Sequence, residues 1–109
     1  MAIDSGELQA VTSELTLAET MVKPVLDGNV DLQRVYEQAI QNSGGLRVVP
    51  VHRRVLMEAA RIRASSHLRL PDAIHAATSL LGTCETFLTN DSLFRNVAGL
   101  PVVVLSEAM

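Results

Sequence analysis

The apolar positions of this chain fall into short β-branched runs separated by longer stretches with helical spacing. Residues 8–13, LQAVTS, read as a short strand, and Thr12 or Ser13 can cap the helix that follows. In that helix, ELTLAETMVKPVLDG, the residues Leu15, Ala18, Met21, Val22, Val25 and Leu26 share one side, which is predicted to face a core. Pro24 should kink the helix or end its regular part. Gly28 should close it. The next stretch, VDLQRVYEQAIQNSGG, repeats the pattern with Leu32, Val35, Tyr36, Ala39 and Ile40 in one stripe and Gly44-Gly45 as its stop.

LRVVPV (46–51) is short and β-branched, so it reads as a buried strand. Residues 53–66 read as a helix with Val55, Leu56, Ala59, Ala60 and Ile62 inward and arginines outward. Residues 67–70 form a loop, and residues 71–81 a helix stopped by Gly82. CETFLT (84–89) is a predicted strand, NDSLF a turn with up to one helical turn, and PVVVL (101–105) a final strand. Strands alternating with helices imply an α/β fold, an α/β/α sandwich with a mostly parallel sheet, built as one domain over residues 1–109. A length of 109 residues agrees with one domain.

Composition narrows the class. Hydrophobic residues make up 48% and charged residues 19%, a globular balance. The aromatics are Tyr36, Phe87 and Phe94 alone, so the core is aliphatic and stacking platforms for single-stranded bases are scarce. The single cysteine, Cys84, cannot form an internal disulfide; that suits a reducing cytoplasm, and it reads as a small core hydrophobe. No signal peptide is expected, because residues 1–11 carry Asp4 and Glu7 and no apolar run. No stretch approaches the roughly 18 apolar residues of a membrane span. Net charge is −3, but residues 46–75 hold six arginines against two acids, a local +4, while the remainder carries three bases and ten acids. That arginine face either binds phosphates or is simply solvated.

Open α/β sheets gather chemistry at the carboxyl ends of their strands. Asp91 follows FLT, and Asp72 stands at a helix start just after Pro71. Glu19 borders the apolar stripe of its helix, where an inward carboxylate would need a partner. Each has a plain structural explanation. Asp72 meets the helix dipole, Asn90-Asp91 is ordinary turn chemistry, and Glu19 can turn to solvent or pair with Lys23. Taken together they suggest a site of oxygen ligands, which selects Mg²⁺ or Mn²⁺ over zinc. His75, three residues after Asp72, makes a lone D-x-x-H that is poor evidence for zinc. His52 and His67 read as surface or phosphate-contacting residues.

TSELTLAET, LPDAIHAAT and FLTNDSLF…LPVVVL, in that order and spacing, resemble the PIN domain, with the small VapC-type toxins as nearest relatives. The resemblance spans about residues 8 to 105. It implies a metal-dependent endoribonuclease with four acidic positions around one or two Mg²⁺ or Mn²⁺ ions. Glu19, Asp72 and Asp91 match three of those acids, as catalytic and metal-binding residues. Thr89 and Asn90 match the supporting polar residues beside the last aspartate. Arg53, Arg54, Arg61, Arg63 and Arg69 are candidates to guide the RNA backbone.

The sequence departs from the family pattern at its start. The family's central first strand ends in Asp-Thr or Asp-Ser and supplies the fourth acid, and a helix follows before the TSELTLAE stretch. Asp4 lies only 15 residues before Glu19, too close for that helix, so it is not mapped onto the missing ligand. The expectations are therefore an impaired site, an exposed apolar sheet edge or face, and association into a homo-oligomer, a dimer first of all. An antitoxin protein is the partner that a VapC-type toxin implies. The rival reading is a non-catalytic PIN-like module that binds a protein or RNA.

Overall fold

The computed structural model describes residues 9–82, 84, 86–89 and 91–105. Its contacts divide the chain into two compact units, Met1–Pro50 and Val51–Met109. In the first unit, β1 (Ala10–Ser13) leads into α1 (Leu15–Leu26), α2 (Val30–Ala39) and β2 (Leu46–Val49). β1 and β2 pair in parallel, from Ala10 opposite Leu46 to Ser13 opposite Val49. A parallel pair needs a crossover, and the two helices supply it. In the second unit, α3 (Arg53–Ser65) and α4 (Leu70–Leu81) precede β3 (Phe87–Thr89), a 3-10 helix (Ser92–Asn96) and β4 (Val102–Val104). β3 and β4 are also parallel, with Phe87 opposite Val102. The chain thus has the expected α/β character, carried by two two-stranded parallel sheets among the described residues.

Local chemistry explains the element ends. The buried Ser13 hydroxyl accepts from the Leu15 amide at 3.1 Å, which starts α1. At its other end Gly28 adopts φ 65°, where only glycine is unstrained. Asn29 N–H then reaches the Pro24 carbonyl at 2.9 Å and Gly28 N–H the Val25 carbonyl at 3.2 Å, a Schellman closure. The same Asn29 caps α2 by accepting from the Leu32 amide at 3.0 Å. Pro24 neither ends nor precedes the end of α1 by much: the helix runs on to Leu26, so Pro24 forfeits a bond only in the last turn.

The α1 stripe corrects the sequence-based expectation. Val22, Val25 and Leu26 are 59%, 57% and 79% exposed, whereas Pro24 is buried and Leu17 and Thr20 are half-buried. The reason is the turn at Gly28. It lays α2 back along the proline side of α1, where the Gln33 side-chain amide donates to the Pro24 carbonyl at 3.3 Å. α2 is also shorter than its pattern. Ile40 leaves helical geometry, and the Asn42 side chain accepts from Val48 N–H at 2.8 Å, tying QNSGG to β2 as a loop.

In the second unit α3 packs on α4. Val55, Ala59 and Ile62 are buried against a helix whose Ala73, Ile74, Ala76 and Ala77 are also buried. Small residues let the axes approach closely, so the contact is narrow, and Leu56 and Ala60, expected inward, stay exposed. Leu68 fills the turn between the helices. Phe94 packs on Phe87 with ring centroids 4.7 Å apart and tethers the 3-10 helix to β3. Cys84 lies before the strand rather than in it, half-buried, with its amide on the Ser79 carbonyl at 3.2 Å. Residue 85 of the predicted strand lies outside the described residues.

Leu68→Ala is expected to cost about 2–5 kcal/mol in urea unfolding, because Leu68 is closed off from solvent. Leu56→Ala should change stability by roughly 0.5 kcal/mol or less, its side chain being open to water. Equal losses at the two positions would contradict the burial assigned here.

Candidate functional site

Asp72 is delivered by a stiff entry into α4. Arg63 Nη1 donates to the Leu68 carbonyl at 2.8 Å, and Ser66 Oγ donates to the Ile62 carbonyl at 2.6 Å. These bonds fix the loop out of α3. Arg69 then caps α4 in extended geometry, and Pro71 occupies a first-turn position where no amide is needed. Ala73 N–H closes on the Arg69 carbonyl at 2.9 Å. Asp72 is thereby held half-buried in the first turn, at the positive end of a helix whose next residues are sealed in the core.

Asp91 is set by a different device with the same result. Its amide donates to Thr89 Oγ1 at 3.0 Å, and its Oδ1 accepts from Leu93 N–H at 2.9 Å, capping the 3-10 helix. Oδ2 takes no part in that cap. Thr89, the last residue of β3, thus orients the backbone that carries the aspartate. Asn90 lies outside the described residues.

Glu19 belongs to the first unit, on α1, and is exposed beside the open stripe. Asp72 and Asp91 belong to the second. Among the described residues, no three His, Cys, Asp or Glu side chains stand together as an ion-binding group. The donor set itself is all oxygen, which matches hard divalent cations.

All five candidate arginines are exposed. Arg61 pairs with Glu58 at 3.2 Å, and Arg63 is engaged with Leu68, a structural duty that its outward position in sequence did not signal. α3 has 13 residues and so is roughly 20 Å long. Arg53 and Arg54 therefore stand about 15 Å along the axis from Arg63, while Arg69 is the N-cap of α4, three residues before Asp72. His52 and His67 are exposed, and His75 is half-buried on α4.

The described elements form an α/β chain with parallel strands and two aspartates at helix entries. The family model of the PIN domain matches residues 2–100, so the chain belongs to the PIN domain family. PIN domains are generally nucleases, typically dependent on divalent metal, and act on RNA or other nucleic acid. Searches among curated proteins and among solved structures found no match. No described helix is long and apolar enough to cross a membrane.

The cap that Asp91 provides is separable from its charge. Asp91→Asn keeps an oxygen for the Leu93 amide and should hold stability within about 0.5 kcal/mol. Asp91→Ala loses the cap and should cost about 1 kcal/mol. Thermal or urea unfolding of the two variants reads the difference, and equal stabilities would remove the capping role.

Proposed function

We propose that this chain is a PIN-domain endoribonuclease of the VapC toxin type, in which Glu19, Asp72 and Asp91 are three of four carboxylates for Mg²⁺ or Mn²⁺. The observation that supports it is the way two motif-matched aspartates are held. Each sits in a locked helix entry, Asp72 through Pro71 and Arg69 and Asp91 through Thr89 and Leu93, in a chain of a nuclease family. Such rigidity is what ligand groups need and more than a surface charge requires. When bound, the ions supply an activated water and steady the departing oxygen. The carboxylates of this chain hold charge at fixed points, Thr89 keeps the Asp91 backbone in place, and Arg69 offers a cation beside Asp72 for an RNA phosphate. Arg53, Arg54, Arg61 and Arg63 extend that positive surface away from the aspartate. Action is assigned to the cytoplasm, and an antitoxin with a basic residue for the acidic site is the assigned protein partner.

The fourth acid of the family pattern has no match in this sequence, so residues 1–109 alone should bind metal weakly and cut little. A second reading, a non-catalytic PIN-like binding module, rests on the fourth acid of the family pattern having no match in this sequence. The DNA upstream of Met1 separates the two. An in-frame strand ending in Asp-Thr or Asp-Ser supports the nuclease, and a stop codon supports the module.

Mn²⁺ titration calorimetry and a fluorogenic RNA assay should be run on residues 1–109 and on the chain extended by its upstream frame. The extended chain should cut in an EDTA-sensitive way, and Asp72→Asn in it should weaken metal binding on the order of 10- to 100-fold. Brisk EDTA-sensitive cutting by residues 1–109 alone would refute the missing-ligand reading, and an Asp72→Asn variant that keeps full activity would refute the assignment of Asp72.

A further inference from the structure

Arg63 stands in the last turn of α3, and its Nη1 donates to the Leu68 carbonyl at 2.8 Å. Leu68 is 1% exposed, so that carbonyl is closed off from water, and no described backbone amide reaches it. A buried acceptor left without a donor is costly, and a charged donor meets it with one of the stronger protein hydrogen bonds. The link between α3 and α4 is short, residues 66–69. Ser66 holds its start, with amide and hydroxyl both on the Ile62 carbonyl at 2.8 and 2.6 Å. Arg69 holds its end, its carbonyl accepting from Ala73 N–H at 2.9 Å. Between them the Leu68 amide reaches Ser66 Oγ only at 3.4 Å, so the guanidinium makes the short bond at the middle of the link.

We propose that Arg63 is a positioning residue for Asp72: by fixing the Leu68 carbonyl it sets where α4 begins and where the carboxylate emerges. The inference rests on the reading of Asp72 as a metal ligand. Leu68 precedes Asp72 by four residues, and Pro71 between them holds its own φ. A shift at Leu68 is therefore passed on to Asp72 and not absorbed. From Ala73 onward α4 is sealed in the core, so the slack falls on its first turn, Leu70–Asp72, which carries the carboxylate. A ligand group has little tolerance for that, about half an ångström. Arginine suits the task. Its stem spans the link, and its fixed fork of donors loses less freedom per bond than an ammonium does. The charge that sequence alone offers to an RNA phosphate is thus first engaged in holding the metal ligand's helix entry.

The test is a Mn²⁺ titration of the 109-residue chain followed by amide NMR, because a paramagnetic ion broadens nearby amides even when it is held weakly. Amide hydrogen exchange is read on the same samples. Broadening in the unaltered chain should include Asp72 and Ala73. Arg63→Met keeps the apolar stem and loses the donor. It should need about tenfold more Mn²⁺ for the same broadening and should exchange the Ala73 amide faster. Arg63→Lys keeps a cation and a donor and should recover most of both. The methionine effect should persist in about 0.5 M salt, where the field of a surface charge is screened. Should Arg63→Met lose its helical circular dichroism, Arg63→Gln, too short to reach the carbonyl, replaces it. A folded Arg63→Met that binds Mn²⁺ normally, a loss that vanishes in salt, or a loss that lysine does not relieve would each overturn the proposal. In the first case, an RNA-binding salt slope lowered by about one would give the guanidinium to a phosphate. Asp72→Asn separates this proposal from the reading beneath it. If Asp72→Asn leaves the broadening unchanged, or the unaltered chain shows none at Asp72, the metal reading falls and the proposal with it. If Asp72→Asn weakens binding while Arg63→Met does not, the proposal alone is refuted.

Discussion

The close approach of α3 to α4 is the constraint on which the second unit depends. Ala59, Ala73, Ala76 and Ala77 are fully removed from solvent, so the helices meet almost backbone to backbone. A larger side chain at any of these positions would push the axes apart, since packed interiors have no slack. That contact holds the start of α4, and with it Pro71 and Asp72, at a fixed height above the core. The turn between the helices is bonded from both sides, by Arg63 and by Ser66, so little freedom remains where the carboxylate emerges.

The first unit is organised by a turn instead of by a core. Its α-helices contribute Pro24 alone to the buried set, and α2 has no buried residue. The hydrogen bonds around Gly28 and Asn29 close one helix and open the next within three residues, and they decide which side of α1 is covered. The more apolar side is left facing outward. A helix in that condition has unspent hydrophobic surface, and surface of this kind marks an interaction site.

The aspartates show how a helix entry holds a carboxylate. A helix entry supplies free amides and a positive potential, which orient a carboxylate. Asp91 uses one oxygen for Leu93, and Asp72 stands in the first turn of α4. Each aspartate is thus fixed by its own helix entry. Membership of the PIN family adds the chemistry that such ligands serve.

Most elements were legible from residues alone. The alternation of β-branched runs with helical stripes placed β1, β2, β4 and the four α-helices within a few residues, and Pro71, Gly28 and Asp91 announced their own turns. The motif spacing likewise led to the family. Other features depended on contacts that no local pattern encodes. Amphipathicity located the apolar side of α1 correctly but could not say whether anything would cover it; the Schellman turn and the placement of α2 did. Leu56 and Ala60 looked like core positions beside Val55 and Ala59, yet an alanine-lined neighbour is too narrow to reach them. Arg63 read as a free surface charge until the loop at Leu68 folded under it. The sequence by itself determined the elements, the oxygen-ligand candidates and the family, because period, capping and motif spacing are local. Only the tertiary structure decided which faces are buried and which side chains are occupied, because burial belongs to pairs of elements.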